Sequence, residues 1–301
     1  VYGLADLEFK VKFLYGNVYE EVVSIFLRII ILQGNTLYHL SYLARFLKFK
    51  VFFCDHGALS EDNYLQINER ISRLRMAKNC DKCIFLTNDN LNFQREIFKQ
   101  DANKFIVIPN YVESVNYCVT YTHNSKTIVS VGRLHKQKRF DLLIESFIEV
   151  NKKYPDWSLE IYGDGEEREK LQKQIDSNNL NQCVFLKGNY GCMDDAYLNK
   201  SFLCATSEFE GFGIMILEAL NYNLPVITFD CLSGPSDMVE DNKNGFLVKP
   251  LDVKELTDKM LNLINDEKLR IMFSKNSFAQ SQKFNKNAII DKWQHLFDSL
   301  K

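Results

Sequence analysis

Ser207-Glu-Phe-Glu-Gly-Phe-Gly-Ile-Met-Ile-Leu-Glu-Ala219 is the stretch that decides the fold. It follows a compact apolar run, Phe202–Ala205, which reads as a buried strand. Two glycines then break the chain, and from Gly213 to Asn221 the spacing becomes helical. A strand, a Gly-rich turn and a helix in that order put the first helical amides, with the positive end of the helix dipole, at the end of the strand. Such an end receives phosphate oxygens. Glu210 stands in the turn and Glu218 one to two turns into the helix, so both carboxylates can reach one pocket mouth. The bland reading, a capping glutamate and a surface one, fits a pattern of this length poorly.

Working outward, the same alternation continues in both directions. Downstream lie a strand at Pro225–Thr228 and helices near Val253–Asn265, Glu267–Lys283 and Lys286–Leu300. Upstream, strands at Thr127–Val131, Ser158–Tyr162 and Val184–Leu186 alternate with helices at Phe140–Tyr154 and Glu166–Ser177, and a short helix near Met193–Asn199 follows. The first half shows strands at Arg28–Leu32, Val51–Cys54, Lys82–Thr87 and Phe105–Ile108, with helices at Leu37–Lys48, Glu61–Lys78 and Asn88–Lys99. Strand–helix repetition with short connections predicts an α/β protein with parallel sheets and crossover helices. The polar, aperiodic stretch Glu113–Lys126 is the expected linker, dividing the chain into residues 1–124 and 125–301.

Ligands of such sheets bind beyond the carboxyl ends of the strands, and three more segments sit there. Val131-Gly-Arg-Leu-His-Lys-Gln-Lys138 places Arg133 and Lys138 in a post-strand loop, a planar fork and a point charge suited to a diphosphate. Alone it reads more readily as a solvated basic turn. Gly163-Asp164-Gly165 lets the backbone turn sharply, though GDG also serves ordinary turns. Asp230-Cys-Leu-Ser-Gly-Pro-Ser-Asp237 with Asn244-Gly245 supplies a polar loop on the same side.

Together these segments resemble, in order and spacing, the C-terminal domain of the retaining GT-B glycosyltransferases of family 4, strongly over about Lys126 to Val248. The matching motifs are Gly132-Arg133-Leu134 with Lys138, Gly163-Asp164-Gly165, Glu210-Gly-Phe-Gly213 with Glu218-Ala219, and Pro225-Val-Ile227 with Gly234-Pro235 and Asn244-Gly245. The resemblance implies a GT-B fold, two Rossmann-like domains facing a cleft. It implies that Arg133 and Lys138, beside Gly132, bind and stabilise the leaving diphosphate of a nucleotide sugar. Glu210 would face the transferred sugar. Phe212, Gly213 and Ile214 would offer backbone amides, Glu218 would hold the ribose hydroxyls, and the base would lie near Lys187-Gly188. Arg139 departs from the family, which usually has glycine there. It adds charge near the phosphates and can tighten binding or alter the turn.

The first half matches more faintly, through Asp55-His56-Gly57 and Ile108-Pro-Asn110. The resemblance puts His56 near the transferred sugar and the acceptor; a lone histidine is as readily structural. Family members open with a strand and a Gly-rich loop, and no such segment precedes Arg28. The resemblance therefore implies an incomplete N-terminal domain, short by about 50–60 residues at about 30 per βαβ unit.

Composition narrows the partners. A net charge of −2 and a pI near 6.3 exclude a dedicated nucleic-acid binder. Eight scattered cysteines, several in apolar runs, read as buried thiols of a reducing compartment and place the chain in the cytoplasm. Cys80 and Cys83 form one CxxC without a second ligand pair. The apolar run Val22–Leu32 is too short to span a bilayer and holds Arg28, and the opening residues do not show the charged-then-apolar pattern expected of a signal peptide. Arg70, Arg73, Arg75 and Lys78 form a basic helix face that suits either solvent or an anionic bilayer.

The expected activity is transfer of a hexose from a UDP-sugar to a saccharide or lipid-linked acceptor with retention, and with no obligatory metal because no DxD pair ends a strand. The Ser233-Gly-Pro235 loop resembles that of bacterial surface-polysaccharide enzymes, lipopolysaccharide enzymes among them. The other reading is a non-catalytic nucleotide-sugar-binding subunit or fragment that lacks a complete donor cleft. An oxidoreductase would need a GxGxxG after its first strand, and none is present.

Overall fold

The computed structural model of the protein describes residues 24–26, 29–33, 38–57, 67–98, 102–113, 115 and 120–299. The opening 23 residues, the first part of the helix expected over 61–78 and positions 114 and 116–119 of the expected linker lie outside the described residues.

Two sheets organise the described chain. The first has the order β1 (Ser24–Phe26), β2 (Ile29–Gln33), β3 (Lys50–Asp55), β4 (Lys82–Phe85), β5 (Phe105–Val107). Strands β2 to β5 are parallel, and β1, which precedes the strand expected at 28–32, runs antiparallel along the edge. Helices α1 (Tyr38–Phe46), α2 (Ile67–Asn79) and α3 (Asn88–Phe98) make the crossovers.

The second sheet is wholly parallel. It comprises β6 (Thr127–Val131), β7 (Ser158–Tyr162), β8 (Val184–Gly188), β9 (Phe202–Ala205), β10 (Val226–Phe229) and β11 (Gly245–Val248), in the order β11-β10-β9-β6-β7-β8. The order reverses between β6 and β9, and ligand crevices of open parallel sheets form at such a reversal. The loops after these two strands are those that carry Arg133 and Lys138 and that carry Glu210. Strand β11 is missing from the sequence reading, which took Asn244-Gly245 as loop. Gly245 explains both facts: a Cβ there would lie 2.0 Å from the Val226 carbonyl oxygen, so only glycine lets the edge strand close on β10.

The intervening helices are α4 (Phe140–Lys153), α5 (Arg168–Ser177), α6 (Met193–Tyr197), α7 (Ile214–Asn221) and α8 (Pro235–Met238). Helix α4 shows why the pattern folds as it does. Its buried residues Phe140, Leu143, Ile144, Phe147 and Val150 recur at helical spacing and pack on Ile128, Leu159 and Ile161 of the sheet. Fully buried Phe147 contributes about 2–3 kcal/mol by transfer from water.

Three helices close the chain: α9 (Val253–Asn265), α10 (Glu267–Ser281) and α11 (Lys286–Asp298). Each starts at a side-chain cap: Asp252 accepts from the Glu255 amide, Asp266 from Leu269, and Asn285 from Ala288. The last helix does not cover the sheet that precedes it. Its Ile289, Trp293 and Leu296 join Ile31, Phe52, Cys54 and Ile84 of the first sheet in one core cluster, and Phe297 stacks on Phe52 at 6.0 Å. The chain thus returns to its first sheet after completing its second.

Candidate donor-binding site

The loops beyond β6, β7 and β8 lie backbone against backbone. The Gly132 amide donates to the Tyr162 carbonyl (2.9 Å), the Leu134 amide to the Asp164 carbonyl (2.9 Å) and the Gly163 amide to the Gly188 carbonyl (2.7 Å). A Cβ on Gly163, whose φ is +130°, would lie 2.0 Å from the Gly132 carbonyl oxygen. One on Gly165 would lie 2.5 Å from that of Leu134. The GDG segment therefore acts as a buttress for the loop that follows β6. Asp164 serves the turn itself, accepting from the Gly165 amide at 2.8 Å.

That loop ends in a 3-10 turn at Lys136–Lys138, capped by the His135 ring, which accepts from the Gln137 amide. Gly132 leaves room for the stem of Lys138, since a Cβ there would meet the lysine Cε at 3.1 Å. The ammonium reaches Glu210 Oε1 at 2.5 Å, and both side chains are largely shielded from solvent. Arg133 is exposed in the same loop.

The Glu210 loop is pinned from both sides. Thr206 Oγ1 donates to the Lys138 carbonyl (2.8 Å), the Glu208 amide to the Gln137 carbonyl (2.9 Å), and Gln137 Nε2 to the Phe209 carbonyl (2.6 Å). Ser233 Oγ donates to the Glu210 carbonyl at 2.7 Å, and a Cβ on Gly234 would stand 2.2 Å from the Phe212 carbonyl oxygen. Buried Phe212 leads into Gly213, whose φ of +83° sets the entry to α7, and Ile214 is its first residue. The loop after β6, with Arg133 and Lys138, and the loop from β9 to α7, with Glu210, thus come together beyond the strand ends.

Glu218 lies farther along α7 and accepts from the Tyr197 hydroxyl at 2.6 Å. Burial raises its carboxyl above the usual carboxylate range, and the tyrosine bond works against that rise. Tyr197, Gln137 and Thr206 went unnoticed in the sequence, because a tyrosine in a short helix and polar residues in loops carry no pattern of their own. Lys187 is placed beside Glu160 (3.7 Å), 6.0 Å from the Tyr162 ring centroid, and Gly188 bridges to Gly163.

Arg139 sits at φ +48°, in the left-handed region where glycine is at ease. Its guanidinium is turned away to Asp141 (3.1 and 3.2 Å).

In the first half, His56 follows β3 at its carboxyl end and is half-buried; desolvation lowers it from the ordinary value of 6.5 to about 4. Its neighbour Asp55 is tied to Arg73 in a buried ion pair at 3.0 Å. Gly57 belongs to that arrangement, because a Cβ there would meet Arg73 Nη2 at 2.6 Å. This corrects the basic face read on α2: Arg73 points into the protein, and only Arg75 and Lys78 remain on its described exterior. The Cys80 and Cys83 sulfurs lie 3.0 Å apart, both buried. The two halves meet where the Asn88 amide and Nδ2 donate to the two carboxylate oxygens of Asp237 (2.8 and 3.0 Å) and Ser236 donates to Asp89 (2.9 Å). Among the described residues, no helix is long and apolar enough to cross a membrane.

A sequence model of the family described as "Glycosyl transferases group 1" matches residues 120–280, the span that holds the loops after β6, β7, β8, β9 and β10 but not His56. The chain belongs to that family. Among its glycosyltransferase relatives, the poly(ribitol-phosphate) alpha-N-acetylglucosaminyltransferase of Staphylococcus aureus is 35% identical over 66% of this chain and 40% of its own. The poly(glycerol-phosphate) alpha-glucosyltransferase of Bacillus subtilis is 30% identical over 71% of this chain and 32% of its own. This chain thus spans only about a third to two-fifths of those two relatives.

Among solved structures, a variant of S. aureus TarM bound to fondaparinux, alpha-GlcNAc-glycerol and UDP is 26% identical, with a TM-score of 0.75 over 89% of this chain and 55% of that one. Anabaena HepE bound to UDP-glucose gives a TM-score of 0.77 at 21% identity, over 89% of this chain and 78% of its own. The fold of this glycosyltransferase-family chain is accordingly GT-B, two sheet domains of α/β type.

Proposed function

We propose that this chain transfers a hexose from a UDP-sugar to a saccharide or lipid-linked acceptor with retention of anomeric configuration. The observation that carries the reading is the contact of Lys138 with Glu210, beside the start of α7 and at the reversal of strand order. A cation and a carboxylate that neutralise each other in this way are poised to be separated by a sugar diphosphate, the phosphate taking the cation and the sugar hydroxyls the carboxylate. UDP or UDP-glucose in the TarM and HepE structures supports uracil as the base.

In this reading Arg133 and Lys138 hold the diphosphate, with the amides of Phe212, Gly213 and Ile214, and Gly132 gives the lysine its path. Glu210 receives the transferred sugar and Glu218 the ribose, while the backbone at Lys187 and Gly188 meets the base. His56 lines the acceptor side as a neutral hydrogen-bonding group. The acceptor hydroxyl oxygen attacks the anomeric carbon from the face the diphosphate leaves. The bond from that carbon to the phosphate oxygen breaks with its electron pair, and the acceptor proton passes to the departing phosphate. Arg133 and Lys138 offset the charge that develops there, the usual source of large rate gains in a preorganised site. We place the division between the domains near residue 125, with α11 returning across it.

Calorimetry with UDP, GDP and ADP, repeated with Arg133→Ala, tests the reading. Binding of UDP in preference to the other two, weakened at least about tenfold in the variant, is expected from a charge-assisted phosphate contact. Failure of UDP to bind overturns it.

A further inference from the structure

Glu218 meets more than its own helix. Tyr197, the last residue of α6, donates its hydroxyl proton to Glu218 Oε2 at 2.6 Å. The tyrosine is held hard in place. Its ring is fully buried and lies against Tyr222, centroids 5.5 Å apart, and edge-on to Tyr190 at 6.4 Å. Tyr222 in turn donates to Asp194, on the same short helix, and Tyr190 packs edge-on against Tyr162 at 6.1 Å. Four rings from β7, the loop after β8, α6 and the end of α7 thus fix one hydroxyl against one carboxylate oxygen.

A carboxylate held in this way has a set plane and a set rotamer, with its second oxygen remaining to accept from a ligand. Pre-set acceptors discriminate strongly, because a ligand lacking the matching hydroxyl leaves a desolvated carboxylate oxygen unsatisfied.

We propose that Tyr197 is a positioning residue for donor selection: by fixing Glu218 it makes the site select nucleoside diphosphates that carry an intact ribose diol. This rests on the reading that Glu218 meets the ribose. Tyr197 itself touches no substrate. It acts by aiming Glu218 and by favouring its ionised form against the burial that opposes it. Burial and Tyr197 are the two influences that set the charge of Glu218, and the polar groups behind the tyrosine are Tyr190, Tyr222 and Asp194.

The test compares UDP with 2′,3′-dideoxy-UDP by calorimetry on the full chain, in wild type, Tyr197→Phe, Glu218→Gln and the double variant. Wild type should favour UDP. Tyr197→Phe should bind UDP about tenfold more weakly, as expected for losing a hydrogen bond to a charged group, while its affinity for the dideoxy compound stays level. The double variant should be no weaker than Glu218→Gln. In Tyr197→Phe, UDP affinity should also begin to fall at a higher pH on acidification, because burial of Glu218 is then unopposed. Glu218→Asp, which withdraws the carboxyl while leaving the ring cluster untouched, should reproduce the loss of selectivity if the phenylalanine variant is poorly folded. An unchanged preference for UDP in Tyr197→Phe overturns this role alone; a wild-type chain that does not bind UDP overturns it together with the donor-site reading.

Discussion

Lys138 Nζ and Glu210 Oε1 lie 2.5 Å apart although 72 positions separate them in the chain. Their loops follow β6 and β9, which are neighbours only because the strand order reverses between them. Topology therefore brings the pair together, and the hydrogen bonds of Gln137, Thr206 and Ser233 set its geometry.

Removing either partner should be costly in two separate ways. Lys138→Ala leaves Glu210, only 8% exposed, without its cation, and an unpaired buried charge of this kind costs about 3 kcal/mol or more of stability. Transfer measured by release of UDP should fall at least about a hundredfold in Lys138→Ala and in Glu210→Ala. Wild-type rates in either would remove both residues from the reaction.

Gly163 should tolerate no side chain. Alanine would place a Cβ 2.0 Å from the Gly132 carbonyl oxygen at a φ of +130°, and the obstacle is backbone that cannot swing aside. Thermal unfolding should show Gly163→Ala destabilised by about 2–4 kcal/mol, the range of strained backbone and overpacking combined. Gly191→Ala is the control. Its nearest foreign atom is a side-chain oxygen of Asp195 at 3.7 Å, so its change should stay within about 0.5 kcal/mol.

Arg139→Gly separates two explanations of a departure from the family pattern. A left-handed φ costs an arginine about 1 kcal/mol relative to glycine, while the partly exposed pair with Asp141 returns at most about as much. Stability should therefore change by less than about 1 kcal/mol. Because the guanidinium faces Asp141 and Glu208, UDP affinity measured by calorimetry should change less than about threefold. A tenfold loss of affinity would instead show that Arg139 reaches the phosphates.

Much of the second sheet was legible because strand-helix alternation is local. Val226–Phe229 is β-branched or aromatic at every position, and the 253–265 helix announces itself with an Asp cap and a regular apolar face. The motif glycines were legible as turns, but their purpose was not. That Gly163 and Gly234 exist to let one loop's backbone lie on another's depends on contacts 31 and 22 positions away, at Gly132 and Phe212. The return of α11 to the first sheet was hidden for the same reason, since an amphipathic helix does not state which sheet it covers. Arg73 misled because charge alone suggests a surface, and its partner Asp55 is 18 positions earlier.

The pH dependence of folding should carry the mark of His56. Burial holds the folded imidazole down at about 4, against 6.5 for the ordinary group. Between those values the unfolded chain binds a proton that the folded chain refuses, so stability falls as the pH drops from about 6.5 towards 4. Above about 6.5 both states are neutral at this position and its contribution is flat. Denaturant unfolding followed at steps across that window should show a shallower slope in His56→Gln than in wild type. Glutamine keeps a polar side chain at the end of β3 without a titrating group, so an unchanged slope would mean that His56 is protonated in the folded protein.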